Sequence, residues 1–131
     1  MTRAELRSRI GRIEESYEFF LAFAAQGVRD DRDSPSGGQL RDALANMASA
    51  LDGMAAGLSA LIRSGSLVPP ASWQRFNDTL ARDADSALAA VELVGARTAI
   101  GSQVIDNLNA SIHLRALLTD LFLLDDLLGD S

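Results

Sequence analysis

The chain has 131 residues, of which 47% are hydrophobic, 18 are acidic and 12 are basic, and its formal net charge is −6. This length and hydrophobic content disfavour a disordered chain and predict one domain over residues 1–131. The negative charge disfavours nucleic acid and membrane surfaces as partners. The chain has no Cys, which excludes disulfides and thiolate chemistry, and a cytoplasmic location is the default expectation.

The first helix is predicted over about residues 2–26 in a chain whose Ala- and Leu-rich composition favours helix throughout. It begins at Thr2-Arg-Ala-Glu5, which has the pattern of a capping box, and Gly27 is expected to end it. Its inward residues follow an alternating four- and three-residue spacing: Leu6, Ile10, Ile13, Tyr17, Phe20 and Ala24.

The second helix is predicted over residues 37–63, after the polar loop VRDDRDSPSGG, which we expect to be mobile and solvated. Ser36 is the expected cap, with Gln39 three residues later, and Gly65 ends the element. The inward residues keep the same spacing: Leu40, Leu44, Met47, Leu51, Met54, Leu58 and Leu61.

The third helix is predicted over residues 72–94 and the fourth over residues 98–128. The third carries its apolar residues on one side: Trp73, Phe76 or Asn77, Leu80, Ala84, Ala87, Val91 and Val94. The inward residues of the fourth are Val104, Ile105, Leu108, Ile112, Leu117, Leu121, Leu124 and Leu128.

Four amphipathic helices with short connections predict an all-α fold, namely an up-down-up-down antiparallel four-helix bundle. An alternative is a long helical hairpin that completes its four-helix core only as a dimer. The hydrophobic pattern is the same in both arrangements and does not separate them.

Four large apolar residues fall outside the inward faces of these helices. Phe19 and Phe23 lie on the back of the first helix, and Leu123 and Leu127 lie on the back of the fourth. Because the first and fourth helices would be antiparallel neighbours, a two-fold axis would set the Phe pair of one subunit against the Leu pair of the other. These four residues therefore predict a homodimer interface.

No residue constellation in the chain predicts catalysis, so we expect no enzymatic activity and no cofactor. A di-iron carboxylate site requires Glu-x-x-His pairs, whereas this chain has a single His and no such motif. The excess apolar surface favours a non-catalytic protein–protein interaction module, such as an adaptor, assembly factor or regulatory partner.

Two alternative functions remain open. A lone His113 in a helical bundle is compatible with histidine phosphotransfer, although a bond from His113 to Asn109 or an Asp is the simpler expectation. The stretch NASIHLRALLTDL resembles the phosphoacceptor helix of sensor histidine kinases, but Ile112 then takes the acceptor position, so no family is assigned. The other alternative is a small-molecule or metal-binding bundle with a cavity beneath Trp73, Met47 and Met54.

Overall fold

The computed structural model describes residues 1–129, which are all-helical and contain no strand. A 3₁₀ turn spans Asp31–Asp33, and the six α-helices are α1 (Arg3–Ala25), α2 (Gly37–Leu51), α3 (Met54–Arg63), α4 (Pro70–Gly95), α5 (Ser102–Ala110) and α6 (Ile112–Leu128). Among the described residues, no helix combines the length and apolar character that crossing a bilayer requires.

The ends of α1 follow the predicted signals. The Glu5 amide donates to Thr2 Oγ1 over 3.1 Å, and the Thr2 amide donates to Glu5 Oε2 over 3.0 Å, which completes the capping box. Gly27 follows the helix with a φ of 68°, a left-handed conformation that favours glycine. The predicted start and stop of the first helix are therefore confirmed.

The second predicted helix is interrupted, so a continuous helix over residues 37–63 is wrong. Asp52 is extended and Gly53 has a φ of 72°, and these two residues separate α2 from α3. Arg9 of α1 donates to the carbonyls of Ala50 and Asp52, which have lost their helical partners at this interruption. Ser36 does not cap α2, because its side chain instead bonds with Gln26.

The fourth predicted helix is also shorter and divided. Residues 98–101 are not helical, and Ser111, with a ψ of 130°, separates α5 from α6. No Gly or Pro marks this second interruption in the sequence. The third helix begins earlier than predicted, at Pro70 in the first turn of α4. Proline has no amide N–H, but an N–H in the first turn has no partner within the helix, so none is lost there.

The buried apolar side chains form one cluster within a single chain. Helices α1 and α4 each pack against both the α2–α3 segment and the α5–α6 segment. The grooves between α1 and α2 and between α4 and α6 therefore lie on opposite sides of the molecule. Most residues predicted to face inward are buried, but Ile112 is 74% exposed, so its predicted core position is wrong.

The loop before α2 is held in place at its centre, contrary to the prediction that it is mobile and solvated. Asp31 is buried, and its carboxylate accepts hydrogen bonds from Arg41 and from the Ile100 amide. Arg41 also donates to the carbonyls of Gly95, Arg97 and Thr98, at the end of α4. All three guanidinium nitrogens of Arg41 are used, which a lysine ammonium could not reproduce.

Candidate functional site

An open apolar groove lies between the first turns of α4 and the last turn of α6. It has a volume of about 350 Å³ and is lined by Val68, Pro69, Ser72, Trp73, Phe76 and Leu127. The Trp73 indole Nε1 donates to the Val68 carbonyl over 3.3 Å, which fixes the ring at the edge of the groove. The groove thus has a set shape and an apolar wall open to solvent.

The apolar surface continues beyond this groove along both helices. On α6, Leu123 and Leu127 are 50% and 55% exposed, and Ile112 lies at the other end of the same helix face. On α4, Leu93 is 74% exposed. We define the outer face as the solvent-facing side of α4 and α6 that carries these four residues together with the groove.

A pair of carboxyl groups lies where α4 and α6 meet along this face. Burial, together with a hydrogen bond to Asp83 and repulsion by its charge, raises the pKa of Asp120 to about 7. Asp120 Oδ2 is shielded from solvent, and no N–H or hydroxyl group of the described residues donates a hydrogen bond to it. Two facing carboxylates have no donor between them, so one shared proton supplies the hydrogen bond of the pair.

Charged side chains of both signs flank the apolar residues. On the exposed side of α4, Asp78 and Asp85 each follow an exposed arginine by three residues. On α6, Arg115 and Asp126 are both exposed and lie eleven residues apart, on the same line of the helix. Each of the two helices therefore presents both signs of charge on the outer face.

The structure corrects the predicted position of Phe23. Its side chain is fully buried in the core and has no part in an exposed surface. The reason is that α1 is covered from two directions, by α2 and by α5, so a wider arc of the helix is enclosed than a single inward stripe provides. Ser16 of α1 is buried by the same arrangement.

Phe19 lies on the other side of the molecule from Leu127. It is half-buried and lines a depression between α1 and α2 with Arg12, Glu15 and Asp42. Leu127 lines the groove between α4 and α6, and Leu123 shares its face. The structure thus brings Leu123 and Leu127 together with α4 residues, and it separates both from Phe19 and Phe23.

His113 is exposed near the start of α6. The predicted bond to Asn109 is absent, since neither amide atom of Asn109 has a hydrogen-bond partner within the part of the chain that the structure describes. Among residues 1–129, the His113 imidazole forms no hydrogen bond or ion pair, and it projects from the first turn of α6.

Trp73, Met47 and Met54, which were predicted to cover one cavity, differ in their exposure to solvent. Met47 and Met54 are fully buried in the core, whereas Trp73 borders the open groove, which neither methionine lines. Within residues 1–129, no group of three or more His, Asp or Glu side chains is arranged to hold a metal ion.

The sequence prediction missed the contribution of α4 to the outer face. Leu93 lies between Glu92 and Val94, and it faces outward because it is offset from the inward residues Val91 and Val94 in the helical repeat. The pairing of Asp83 with Asp120 has no local signal, because it depends on the register of two separate helices. Val68 likewise becomes part of the groove only through the connection between α3 and α4.

Comparison with protein-family models, curated proteins and solved structures gave no match. Function is therefore inferred from the chain's own residues and their arrangement.

Proposed function

We propose that this protein is a non-catalytic protein–protein interaction module whose binding surface is the outer face of α4 and α6. We further propose that the chain is a single four-helix-bundle domain, in which α2–α3 and α5–α6 each take the place of one interrupted helix. The two-sided packing of α1 and α4 supports this arrangement. The proposed location remains the cytoplasm.

The clustering of exposed apolar side chains is the observation that carries the proposal. Seven large hydrophobic residues are exposed in the described chain; Leu21 lies on α1, and Phe122 lies at the edge of α6, four residues before Asp126. The other five belong to the outer face or its groove: Val68, Leu93, Ile112, Leu123 and Leu127. Scattered exposed residues need no explanation, but a concentration on one face is typical of a binding surface.

The geometry of this face suits a protein partner more than a small molecule. The groove is open along one side, whereas small-molecule sites enclose most of the ligand surface. The apolar residues also extend from Leu127 to Ile112, which are 15 residues apart on α6. At about 1.5 Å per residue this is roughly 22 Å, the length scale of a helix laid along the face.

Site-specific photocrosslinking in cells tests the proposal. A photoreactive amino acid at position 127 is expected to form covalent adducts with protein, because a partner would cover this side chain. The same amino acid at Asn107, an exposed position on α5, is the matched control. Equal adduct formation at the two positions, or none at position 127, would contradict the outer face as the binding surface.

The exposed imidazole of His113 favours phosphotransfer as the second candidate function. A phosphoacceptor must be reachable by its donor, and this side chain is solvent-exposed. Incubation with radiolabelled acetyl phosphate tests this candidate, with His113→Ala as the control. Labelling that His113→Ala abolishes would support it, and labelling that is absent or unchanged by the substitution would reject it.

A further inference from the structure

We propose that the depression between α1 and α2 is a binding site for a small organic diamine, whose two ammonium groups are held by carboxylates at two levels. The depression has a volume of about 490 Å³. It lies on the opposite side of the molecule from the outer face, so the site is independent of the proposed function. Four features support it: the heights of the carboxylates, their lack of a cation, a buried hydroxyl group and an aromatic wall.

Contacts beyond the two ends of the depression fix the antiparallel register of α1 and α2. At one end, Arg9 donates to the carbonyl of Asp52, and at the other, Gln26 Nε2 donates to Ser36 Oγ over 2.9 Å. The residues on the α1 side are 17 positions apart, and those on the α2 side are 16 apart. The register is therefore constant along the pair, and the height of each lining residue can be read from the sequence.

The acidic side chains that line the depression lie at two heights. By this register, Glu15 is level with Asn46. Phe19 is level with Asp42, and Glu18 lies about one residue from the same height. The two acidic levels are thus three to four residues apart, or roughly 5–6 Å along the helices. The nitrogens of an extended four-carbon diamine are roughly 6 Å apart, given single bonds of about 1.5 Å, so each can lie against one level.

No cation of the described chain neutralises these carboxylates. Glu15, Glu18 and Asp42 form no ion pair among residues 1–129, and all three are exposed. Arg12 is the one basic residue among those that line the depression, and its Nη2 donates to Ser49 Oγ over 3.4 Å. The lining therefore carries more negative than positive charge, and its carboxylates remain available to an external cation.

The other arginines of α1 and α2 are held elsewhere. Arg9 donates to carbonyls at the end of α2, and Arg41 is bonded to Asp31 and to carbonyls at the end of α4. Arg3 and Arg7 lie in the first two turns of α1, before the depression begins. The acidic character of the depression is thus not cancelled by a neighbouring helix residue.

A buried hydroxyl group without a partner belongs to the same depression. Ser16 is only 4% exposed, yet it lines the depression between the two acidic levels, and its hydroxyl forms no hydrogen bond within the part of the chain that the structure describes. The side-chain amides of Gln39 and Asn46, which also line it, are likewise free of partners there. All these groups accept hydrogen bonds, which matches a ligand rich in N–H donors.

Phe19 gives the depression an aromatic wall. Its ring is half-buried and lies at the level of Asp42, where an ammonium group gains a cation–π contact. The alkyl chain of a diamine gains apolar contact with this ring and with the buried Ala43. Because charge contacts at two levels hold such a ligand, the depression need not enclose it as an apolar pocket must.

The same carboxylates do not suit a metal ion. Among the described residues, no three His, Asp or Glu side chains are close enough together to hold one. Carboxylates spread over two levels match instead a cation whose charges are separated by a chain. The site is therefore assigned to an organic diamine rather than to a divalent metal.

Titration of the isotope-labelled full chain with putrescine, followed by NMR at low ionic strength, tests the site. Amide shifts in α1 and α2 around Ser16 are expected to saturate below about 10 mM putrescine. Glu15→Gln and Asp42→Asn each remove charge from one level and should each weaken binding about threefold. Glu92→Gln, at an exposed site on α4, is the matched control and should bind as the wild type does.

Two further comparisons separate a specific site from general attraction to an acidic protein. Butylamine has the same alkyl chain but a single ammonium group, so it should bind at least about threefold more weakly than putrescine. Ser16→Ala should also weaken putrescine about threefold, because the ligand loses a hydrogen bond. Its unfolding midpoint should not fall, since this hydroxyl has no partner in the chain.

Absence of saturable shifts, or shifts that map outside α1 and α2, would overturn the site. An equal loss in Glu92→Gln would overturn it as well, because the attraction would then be a property of the whole charge. Equal affinity for butylamine would reject the two-level contact. A lysine-containing peptide that binds the depression at least about tenfold more tightly than putrescine would replace the free diamine with a protein side chain. Crosslinking from position 127 is independent of all these outcomes.

Discussion

Arg41 and the buried Asp31 carboxylate form a two-point, partly buried ion pair. Arg41 Nε donates to Asp31 Oδ2 over 2.9 Å, and Nη2 donates to Oδ1 over 3.3 Å. The same carboxylate accepts the Ile100 amide over 2.7 Å, while Arg41 Nη1 reaches the carbonyls of Gly95 and Arg97. The loop before α2 and α2 itself are joined at this point to a segment distant in sequence, the connection from α4 to α5.

Arg41→Ala is expected to lower the free energy of unfolding by about 3 kcal/mol, because it leaves the buried Asp31 carboxylate without its cation. Urea unfolding at neutral pH measures the change. Arg32→Ala is the matched control, since Arg32 pairs with Asp30 at the surface over 2.6 Å and should leave the unfolding midpoint unchanged. Similar losses in the two variants would show that burial of the pair is unimportant.

Two neighbouring glycines are expected to respond in opposite ways to alanine. A Cβ on Gly37 would overlap the backbone carbonyl of Asp31, whereas a Cβ on Gly38 would meet nothing within 4 Å. Gly37→Ala should therefore destabilise the protein by about 2 kcal/mol, and Gly38→Ala should stabilise it by about 0.5 kcal/mol through the unfolded chain. Thermal unfolding followed by circular dichroism compares them, and a stabilising Gly37→Ala would contradict the close approach.

Truncation of Phe23 and Leu123 distinguishes a core position from a surface position. Phe23→Ala should cost about 3–5 kcal/mol, because the fully buried ring leaves a cavity. Leu123→Ala should change the free energy of unfolding by less than about 0.5 kcal/mol in the monomer. Both are measured by urea unfolding at a concentration low enough to exclude self-association. A Phe23→Ala variant with a nearly unchanged free energy of unfolding would contradict burial of this side chain.

Asp120 is expected to give the protein an unusual dependence of stability on pH. Its pKa is about 7 in the folded chain, against an ordinary value of 3.8, so the folded state retains a proton that the unfolded state releases. Stability should therefore fall as pH rises from about 4 to 7, with the loss complete above the folded pKa. Asp120→Asn should flatten this part of the profile and raise stability at pH 8.

The control for that profile is Asp106→Asn, at an exposed site on α5. It should keep the wild-type slope between about pH 4 and 7. Asp31 acts in the opposite direction at lower pH. Hydrogen bonds from Arg41 lower its pKa, so its contribution is present above the ordinary value of 3.8 and is lost as pH falls through the folded pKa. A wild-type slope in Asp120→Asn would exclude Asp120 as the source.

The sequence was sufficient for the all-helical fold and for most of the core, because both depend on short-range periodicity. Leu6, Ile10 and Phe20 are buried as their spacing predicts. The interruption at Ser111 was not predictable, since this residue has no intrinsic requirement for an extended backbone. The position of Phe23 depends on how many neighbours enclose α1, which is a property of the assembled molecule.

The candidate surface could be predicted only in part from the sequence, because it combines residues from two helices. Leu123 and Leu127 are outward in the helical pattern of α6, and both are exposed. Their partners Phe76 and Trp73 come from a different helix, and sequence spacing carries no information on interhelical register. Asp31 was assigned to a solvated loop because its residue type is typically exposed, whereas its burial depends on Arg41 ten residues later.

The interruptions at Asp52-Gly53 and Ser111 also affect how the molecule opens. Each breaks a ladder of backbone hydrogen bonds, so α2, α3, α5 and α6 are short units, whereas α1 and α4 are continuous over 23 and 26 residues. Local opening can begin at an internal helix end without unfolding the whole segment. In amide hydrogen exchange, the most slowly exchanging amides should therefore lie in the central turns of α1 and α4. The two unbroken helices, α1 and α4, would then be the last elements of the chain to unfold.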